Sequence, residues 1–288
     1  MAVASRSTLV AAVVAMACGP CLAAEQGQIA YLAVTKGYWE VWTAKPDGSA
    51  ARQVTRSATD KSRVSWFPDG KTLLVSRNDG VVLRVDAGGV ETRIPLEQYP
   101  VVDAALSPDG QQLAFSFSTA IDGNDLWLAR IDGGAAQKLA TMNSLQHEPA
   151  WSADGQSLYF LSGDGGQAHD IWKLSLASRN TEQLTVGNLY HFDVAPCAEG
   201  ALVFSSNRSG NYELYRQRAD GTVEQLTDDP ALDAKPTCAP DGAALIFESS
   251  RGGVTNLWRL DLATKSLRQV TRTREGARAP VWYAGGMR

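Results

Sequence analysis

The chain has 288 residues, of which 44% are hydrophobic and 20% are charged, a composition typical of a folded globular protein with one large domain or two small ones. The net charge is −4 and the isoelectric point is near 5.5. Nucleic-acid binding depends on clustered lysine and arginine side chains. Because the chain has no basic run, its composition argues against a nucleic-acid partner.

Residues 1–24 have the pattern of a secretory signal peptide. A single arginine precedes an uncharged run at 8–17, and small residues allow cleavage near Ala23 or Ala24. The run is shorter than the ~20 apolar residues that span a bilayer. A frayed N-terminal helix is one alternative, and a lipoprotein signal ending at Cys18, without the usual leucine, is another. We therefore expect export to the periplasm, with no membrane span.

The rest of the chain repeats one unit of about 40–45 residues. The clearest copy, 146–185, reads as four short strands with a tight glycine turn after the first strand. The turn glycine and the residue near the end of the third strand recur in constant order. They are found at Gly70, Gly110, Gly155, Gly200 and Gly242, and at Trp42, Leu83, Trp127, Trp172, Tyr215 and Trp258.

A period of this length with four strands per unit is the signature of β-propeller blades. The sequence predicts an all-β fold, a six-bladed β-propeller of four-stranded antiparallel blades, occupying residues 25–288 as one domain. The first copy begins at Gln28 without a first strand, and the segment from Ala279 to Tyr283 matches the missing strand in register. We therefore expect the C-terminal strand to join the N-terminal blade and close the ring.

The repeats resemble the TolB-type β-propeller repeat, in which a strand runs into Pro-Asp-Gly and an apolar strand follows. The motif stands here at 66–70 (WFPDG), 106–110 (LSPDG) and 238–242 (CAPDG). The resemblance implies the propeller fold. It also points to a family whose namesake, a periplasmic component of the Tol-Pal system, binds protein partners and has no catalytic activity. The namesake carries an α/β domain before its propeller, and we expect that domain to be missing here.

Motifs for catalysis or a cofactor do not stand out in the sequence. The Gly-x-Ser-x-Gly elbow of the serine peptidases that share this propeller, a sialidase Asp-box and a phosphate-binding glycine loop are all missing. The sequence therefore predicts a protein that is not an enzyme and needs no cofactor.

The three histidines leave an alternative open. His147, His169 and His191 all lie near the predicted loops of one propeller face, where imidazoles could bind a metal together with Glu148 or Asp193. Some related propellers that cleave pectin fragments use a histidine-bound metal in this region. The alternative function is therefore a metal-dependent periplasmic oligosaccharide lyase. The spacing is not a recognised ligand motif, so we favour histidines that bond locally.

A set of charged residues recurs in the first strands and predicts a binding surface. The position three before the end of the first strand holds a charged residue in five of the six blades. The position one before the end holds a small residue in all six. Strict alternation places both sets on one side of the strand, with the charges around the wider channel mouth. We expect a monomer that binds an envelope protein or peptide there through Arg63, Asp103, Glu148, Asp193, Lys235, Tyr190, His147 and His191.

Two cysteines, Cys197 and Cys238, remain after the predicted cleavage. They stand at neighbouring positions of adjacent repeats, in a compartment that permits disulfides. A disulfide requires Cα atoms within about 7 Å, which the sequence does not show. We favour two buried free thiols over a disulfide.

Overall fold

The computed structural model describes residues 27–119, 123–139, 142, 144–163, 168–187 and 189–283. These residues form six four-stranded antiparallel sheets arranged as the blades of a propeller, which confirms the predicted all-β fold. The predicted signal peptide (1–24), with Cys18, lies outside the described residues.

The strands are short. In chain order they are β1 (Ile29–Thr35), β2 (Tyr38–Ala44), β3 (Arg52–Gln53), β4 (Lys61–Trp66), β5 (Leu73–Arg77), β6 (Val82–Val85), β7 (Glu91–Arg93), β8 (Val102–Leu106), β9 (Gln112–Thr119), β10 (Gly123–Arg130), β11 (Gln137–Lys138), β12 (Leu145–Trp151), β13 (Ser157–Gly163), β14 (Asp170–Ser175), β15 (Thr181–Gln183), β16 (His191–Pro196), β17 (Leu202–Ser206), β18 (Glu213–Gln217), β19 (Val223–Gln225), β20 (Asp233–Cys238), β21 (Ala244–Ser249), β22 (Asn256–Asp261), β23 (Leu267–Gln269) and β24 (Ala277–Trp282). A 3₁₀ turn, Ala198–Gly200, follows β16. Blade 1 contains β24, β1, β2 and β3, and blades 2 to 6 take four consecutive strands each. The second strand of a blade is more buried than the first, as in β5, β13, β17 and β21.

The ring is closed as the sequence predicts. Strand β24 pairs antiparallel with β1, with Ile29 opposite Trp282 and Ala33 opposite Ala277. The Tyr283 N–H donates to the Gln28 carbonyl at 2.9 Å. Residues from both ends of the described chain therefore complete blade 1.

The turn between the first two strands of a blade requires glycine. Gly110 has a φ of 72°, a value that favours residues without a Cβ, and its N–H donates to the Ser107 carbonyl at 2.9 Å. The Asp109 carboxylate accepts the Gln111 N–H at 3.0 Å. A Cβ on Gly110 would lie 2.7 Å from Pro68 Cδ, so the turns of blades 2 and 3 touch.

The core lies between the blades. Buried hydrophobic residues form six clusters, and each cluster draws on two neighbouring blades. Phe115, Phe160, Phe204 and Phe247 stand on the second strands of four consecutive blades and are fully buried. The first strands are thereby left to line the axis of the ring. Within the part of the chain that the structure describes, no helix is long and apolar enough to span a bilayer.

A candidate partner-binding channel

A cavity of about 550 Å³ occupies the axis of the propeller, a volume in the range that holds small ligands or side chains. All six first strands contribute to it. Its lining runs from the charged positions of these strands past the small positions to the Asp-Gly turns, where Pro68, Pro108, Pro240 and Tyr283 stand.

A β-bulge interrupts every first strand, so the assumption of strict alternation is wrong. The pairing register shifts between Val102 and Ala105 in β8, and shifts of the same kind occur in the other five blades. Five residues at the bulges have left-handed φ angles of 48° to 57°, at Asp103, Glu148, Asp193, Lys235 and Ala279. A side chain in this region costs about 1–2 kcal/mol.

The charged and the small residues do line one cavity, as predicted, but the bulges, and not a strict alternation along the strand, place them there. Arg63, Asp103, Glu148, Asp193 and Lys235 all line it, as do the small residues. The charges form a layer at one end of this cavity, on the far side from the Asp-Gly turns. The sequence predicted these charges around the channel mouth, and at this end of the cavity all five residues are half-buried.

Neighbouring blades are linked through this charged layer. The Asp193 N–H donates to Glu148 Oε2 at 2.9 Å, and Lys235 Nζ forms an ion pair with Asp193 Oδ1 at 2.5 Å. The Lys235 N–H also donates to Asp193 Oδ2, at 3.3 Å. These N–H groups belong to the bulged residues, so part of the charged set stabilises the blade-to-blade contacts.

Two charged residues of the layer lack an ion-pair partner. Arg63 Nη2 donates to the Pro149 carbonyl at 3.2 Å, a neutral acceptor two blades away, and no carboxylate of the described chain lies within ion-pair distance of it. The side chain of Asp103 makes no hydrogen bond or ion pair with any residue that the structure describes. Both groups are therefore able to bind a charged group from outside.

Burial and the nearby carboxylates give Glu148 an unusual ionisation. Burial, then Asp193 and Asp103, raise the pKa of Glu148 to about 7, although Lys235 acts in the opposite direction. Burial alone would lower the pKa of Lys235, but Asp193 and Glu148 outweigh it and raise that pKa. The layer therefore holds one carboxyl group that exchanges its proton near neutral pH.

Tryptophans surround the cavity between the charged layer and the turns. Trp151 Nε1 donates to the Ala105 carbonyl at 3.0 Å, and Trp66 Nε1 donates to the Val281 carbonyl at 3.2 Å. Each bond joins the first strands of two neighbouring blades. Trp282 also lines the cavity. The sequence did not predict that the tryptophans at the ends of first strands line the channel.

Two of the residues predicted to bind a partner belong to an aromatic cluster instead. The rings of His147 and His169 are 4.7 Å apart, and His169 also packs against Phe192 and Tyr190, at 5.2 and 5.6 Å between ring centroids. Tyr212 joins through Phe192 at 5.6 Å. Neither His147 nor Tyr190 lines the cavity. The cluster bridges blades 4 and 5 at the end of the first strands remote from the turns.

His191 was predicted to contact a partner, and this prediction is wrong because the side chain is fully buried. Its ring packs against Phe204, with 5.3 Å between centroids, and neither ring nitrogen has a hydrogen-bond partner in the structure. Burial and the neighbouring Arg208 lower the pKa of His191 to about 4. His191 is therefore a neutral residue of the blade interior.

The structure does not gather the three histidines around one point. His147 and His169 are neighbours, whereas His191 faces the core. Among the described residues, no three His, Cys, Asp or Glu side chains are grouped closely enough to hold a metal ion. The ligand arrangement that would favour the lyase alternative is therefore not formed by these residues.

Cys197 and Cys238 form a disulfide, with 5.6 Å between their Cα atoms, so the expectation of two free thiols is wrong. Each cysteine stands at the end of a first strand, in blades 5 and 6, and both line the cavity. The crowding of first strands around the axis brings neighbouring positions of adjacent blades within bonding distance. The disulfide therefore crosslinks blades 5 and 6 in the channel wall.

Residues 81–285 match the TolB beta propeller domain family. The chain belongs to this family. Among curated relatives of this TolB-type propeller, the Tol-Pal system protein TolB of Anaeromyxobacter dehalogenans is 30% identical over 129 residues, which are 43% of this chain and 29% of that protein. An uncharacterized protein of Agrobacterium fabrum is 29% identical over 191 residues, 64% of each chain. The chain thus spans less than two thirds of the length of either relative.

Solved structures show the same fold. TolB from Acinetobacter baumannii superposes with a TM-score of 0.75 at 20% identity, over 89% of this chain and 66% of that chain. An oligogalacturonate lyase in complex with manganese superposes with a TM-score of 0.59 at 15% identity, over 86% and 74%. At these identities the likeness concerns the fold alone, which hosts unrelated activities.

Proposed function

We propose that this TolB-type propeller is a non-catalytic scaffold that binds a protein or peptide of the cell envelope in its central channel. The observation that carries the proposal is the axial cavity, in which charged side chains from five blades form one layer and two of them, Arg63 and Asp103, have no ion-pair partner among the residues that the structure describes. The family supports it, because one curated relative is a Tol-Pal system protein.

The mixed signs of the layer favour a specific polar partner over a bulk polyanion. Arg63 and Lys235 line the same cavity as Asp103, Glu148 and Asp193, so a ligand must match both signs to avoid unpaired charge. The rigid ring needs no rearrangement of the backbone to present this surface. Binding would therefore depend on the fit of the inserted group and be sensitive to single substitutions in the channel.

Affinity capture from a periplasmic extract of the producing organism tests the proposal. The bait is the mature protein, and the test variant is Ser65→Phe, which fills the channel wall without changing any charge. The control is Ser178→Phe, in the exposed turn between β14 and β15. We expect wild type and control to recover the same envelope protein and the channel variant to lose it. Equal recovery by all three baits would refute binding in the channel.

The proposed place of action is the periplasm, following cleavage near Ala23 or Ala24. Mass spectrometry of the N-terminus of the protein purified from its own cells tests this. A mature chain starting close to these residues is the expected result, and either an intact Met1 or a lipid on Cys18 would contradict it.

A further inference from the structure

The charged layer of the channel contains three carboxyl groups, Asp103, Glu148 and Asp193, and two cations, Arg63 and Lys235. Lys235 is already paired with Asp193 at 2.5 Å. Asp103 has no partner among the described residues. Glu148 accepts the Asp193 N–H, and its nearest basic atom at 4.0 Å is Nδ1 of His147, a residue whose pKa is lowered by burial and by His169. Asp103 and Glu148, on neighbouring blades, are close enough for Asp103 to raise the pKa of Glu148, and among the described residues neither carboxyl group has a lysine or arginine ion pair.

A metal ion does not fit this pair. No three metal-ligating side chains of the described chain are close enough to share one ion, and a metal held by two carboxylates alone would be weakly bound. An ammonium or guanidinium group is larger and needs only hydrogen-bond contact with each carboxylate. The pair therefore suits an organic cation.

The wall above the carboxylates suits the carbon chain that carries such a cation. Ala105 and Ala150 are small, apolar and almost fully buried, and Trp66, Trp151 and Trp282 line the cavity beside them. Aliphatic stems of lysine and arginine pack along apolar surface while their heads reach a polar one. Tryptophan rings also attract cations.

We infer that the channel takes a lysine or arginine side chain of the bound partner, inserted past the Asp-Gly turns, with its stem along the alanine and tryptophan wall and its charged head between Asp103 and Glu148. This inference rests on the proposed function and names the chemistry that the partner presents. Arg63, on blade 2 next to the blade of Asp103, bonds only the neutral carbonyl of Pro149 and remains available for a carboxylate of the same partner.

Proton exchange at Glu148 couples to this binding. The groups that face Glu148 are Asp193, Lys235 and Asp103, together with His147. A bound cation favours the ionised carboxylate, so binding lowers the pKa of Glu148 from about 7 and releases a proton. Affinity for the cation should therefore rise as the pH increases from about 6 to about 8.

The test uses blocked tripeptides titrated into the mature protein by calorimetry. The probes are acetyl-Ala-Lys-Ala-amide and acetyl-Ala-Arg-Ala-amide. The same blocked peptide with glutamate or norleucine at the central position controls for the charge, and H-Ala-Ala-Ala-amide offers a terminal ammonium in place of a side-chain cation. We expect the lysine and arginine peptides to bind at least about tenfold more tightly than the norleucine peptide, a difference of about 1.4 kcal/mol. Tighter binding of the free N-terminus than of the lysine side chain would overturn the side-chain assignment.

Two variants locate the site. Asp103→Asn and Glu148→Gln should each lower the affinity for the lysine peptide at least about tenfold. Glu148→Gln should also abolish the rise of this affinity with pH. Asp132→Asn, an exposed carboxylate between β10 and β11, is the control and should bind as wild type. Each variant is first shown to melt cooperatively, so that lost binding is not lost folding.

The outcomes separate this inference from the proposed function. If the glutamate peptide binds best and Arg63→Gln abolishes its binding, the channel is a partner site of opposite preference and the inference is wrong. If no peptide binds, or if the norleucine peptide equals the lysine peptide, the inference is also wrong. In either case the capture experiment with Ser65→Phe still decides whether the channel binds a partner.

Discussion

Glu148 is the channel residue whose charge depends on pH near neutrality. Its pKa is about 7 in the folded protein, against an ordinary value of 4.5. Because the pKa is raised, the folded state binds more protons than the unfolded state between these values, and the contribution of Glu148 to stability falls as the pH rises through that window. The ionised Glu148 in its buried position therefore lowers the stability of the folded protein at neutral and higher pH.

Glu148→Gln should remove this dependence. Glutamine keeps an oxygen that can accept the Asp193 N–H, so the blade contact survives. When the pH is raised from about 5 to about 8, the free energy of unfolding of the variant should increase by on the order of 2 kcal/mol relative to that of wild type. Denaturant unfolding at both pH values measures this difference. Glu182→Gln, on the exposed strand β15, is the control. Identical pH profiles for Glu148→Gln and wild type would contradict the assignment.

His191 should make the protein less stable as the pH falls, the opposite of the effect of Glu148. The pKa of His191 falls to about 4 in the folded state from 6.5, so the unfolded chain binds more protons between these values and stability is lost as the pH falls through them. His191→Leu removes the titration, and the apolar Val101 and Ala277 occupy the equivalent buried positions of other blades. We expect the variant to lose less stability than wild type between about pH 7 and pH 4.5, in thermal melts. His169→Gln, at a less buried ring, should change this slope less.

At the scale of the element, the first strand and its turn determine the channel. The Asp-Gly turn sets the direction of the second strand, and the bulge before it sets which side chains face the axis. Both use left-handed backbone, but only the turn uses glycine for it.

Gly110→Ala tests the turn. The substitution adds the strain of a φ of 72° and a contact of 2.7 Å with Pro68 Cδ. Gly221→Ala is the matched control, because its φ is 84° and nothing lies within 4 Å of the added Cβ. We expect a loss of about 1 kcal/mol for the control from strain alone, and a loss at least twice as large for Gly110→Ala. Equal losses would show that the turns of neighbouring blades do not support one another.

The repeat predicted the strands, the turns and the closure of the ring, because glycine and tryptophan recur with one period and one order. It did not predict the bulges, since Asp103 and Glu148 carry no signal for left-handed backbone of the kind that glycine gives. It also missed the burial of His191. Comparing the six repeats would not have found it, because the position five before the end of the first strand is buried in every blade but is occupied by lysine, valine, glutamine, histidine, aspartate and alanine, which share no apolar pattern.

At the scale of the whole molecule, the ring is a cycle of blade-to-blade contacts. Every apolar cluster joins two blades, so opening one contact exposes two faces. The disulfide follows from the same geometry and was not predictable from the sequence, because the distance between Cys197 and Cys238 depends on how six blades share one axis.

Removal of residues 277–288 should show this cooperativity. The truncation deletes β24 and with it the buried Ala277 and Trp282, leaving the inner edge of β1 unpaired. We expect the melting temperature to fall by at least about 10 °C, measured by calorimetry. Removal of 284–288 alone keeps β24 and should change it little. A protein without β24 that melts like the full chain would show that blade 1 does not need this strand.

The pairing of β24 with β1 also sets the order in which the molecule can be built. Strand β1 pairs with a strand that lies about 245 residues further along the chain, so a ribosome must synthesise the chain through β24 before blade 1 can form. The long loop that this pairing closes makes folding slow. An incomplete chain holds an open arc with one apolar face uncovered. The proposed export is compatible with this order, because the closed ring cannot form before β24 is available to pair with β1.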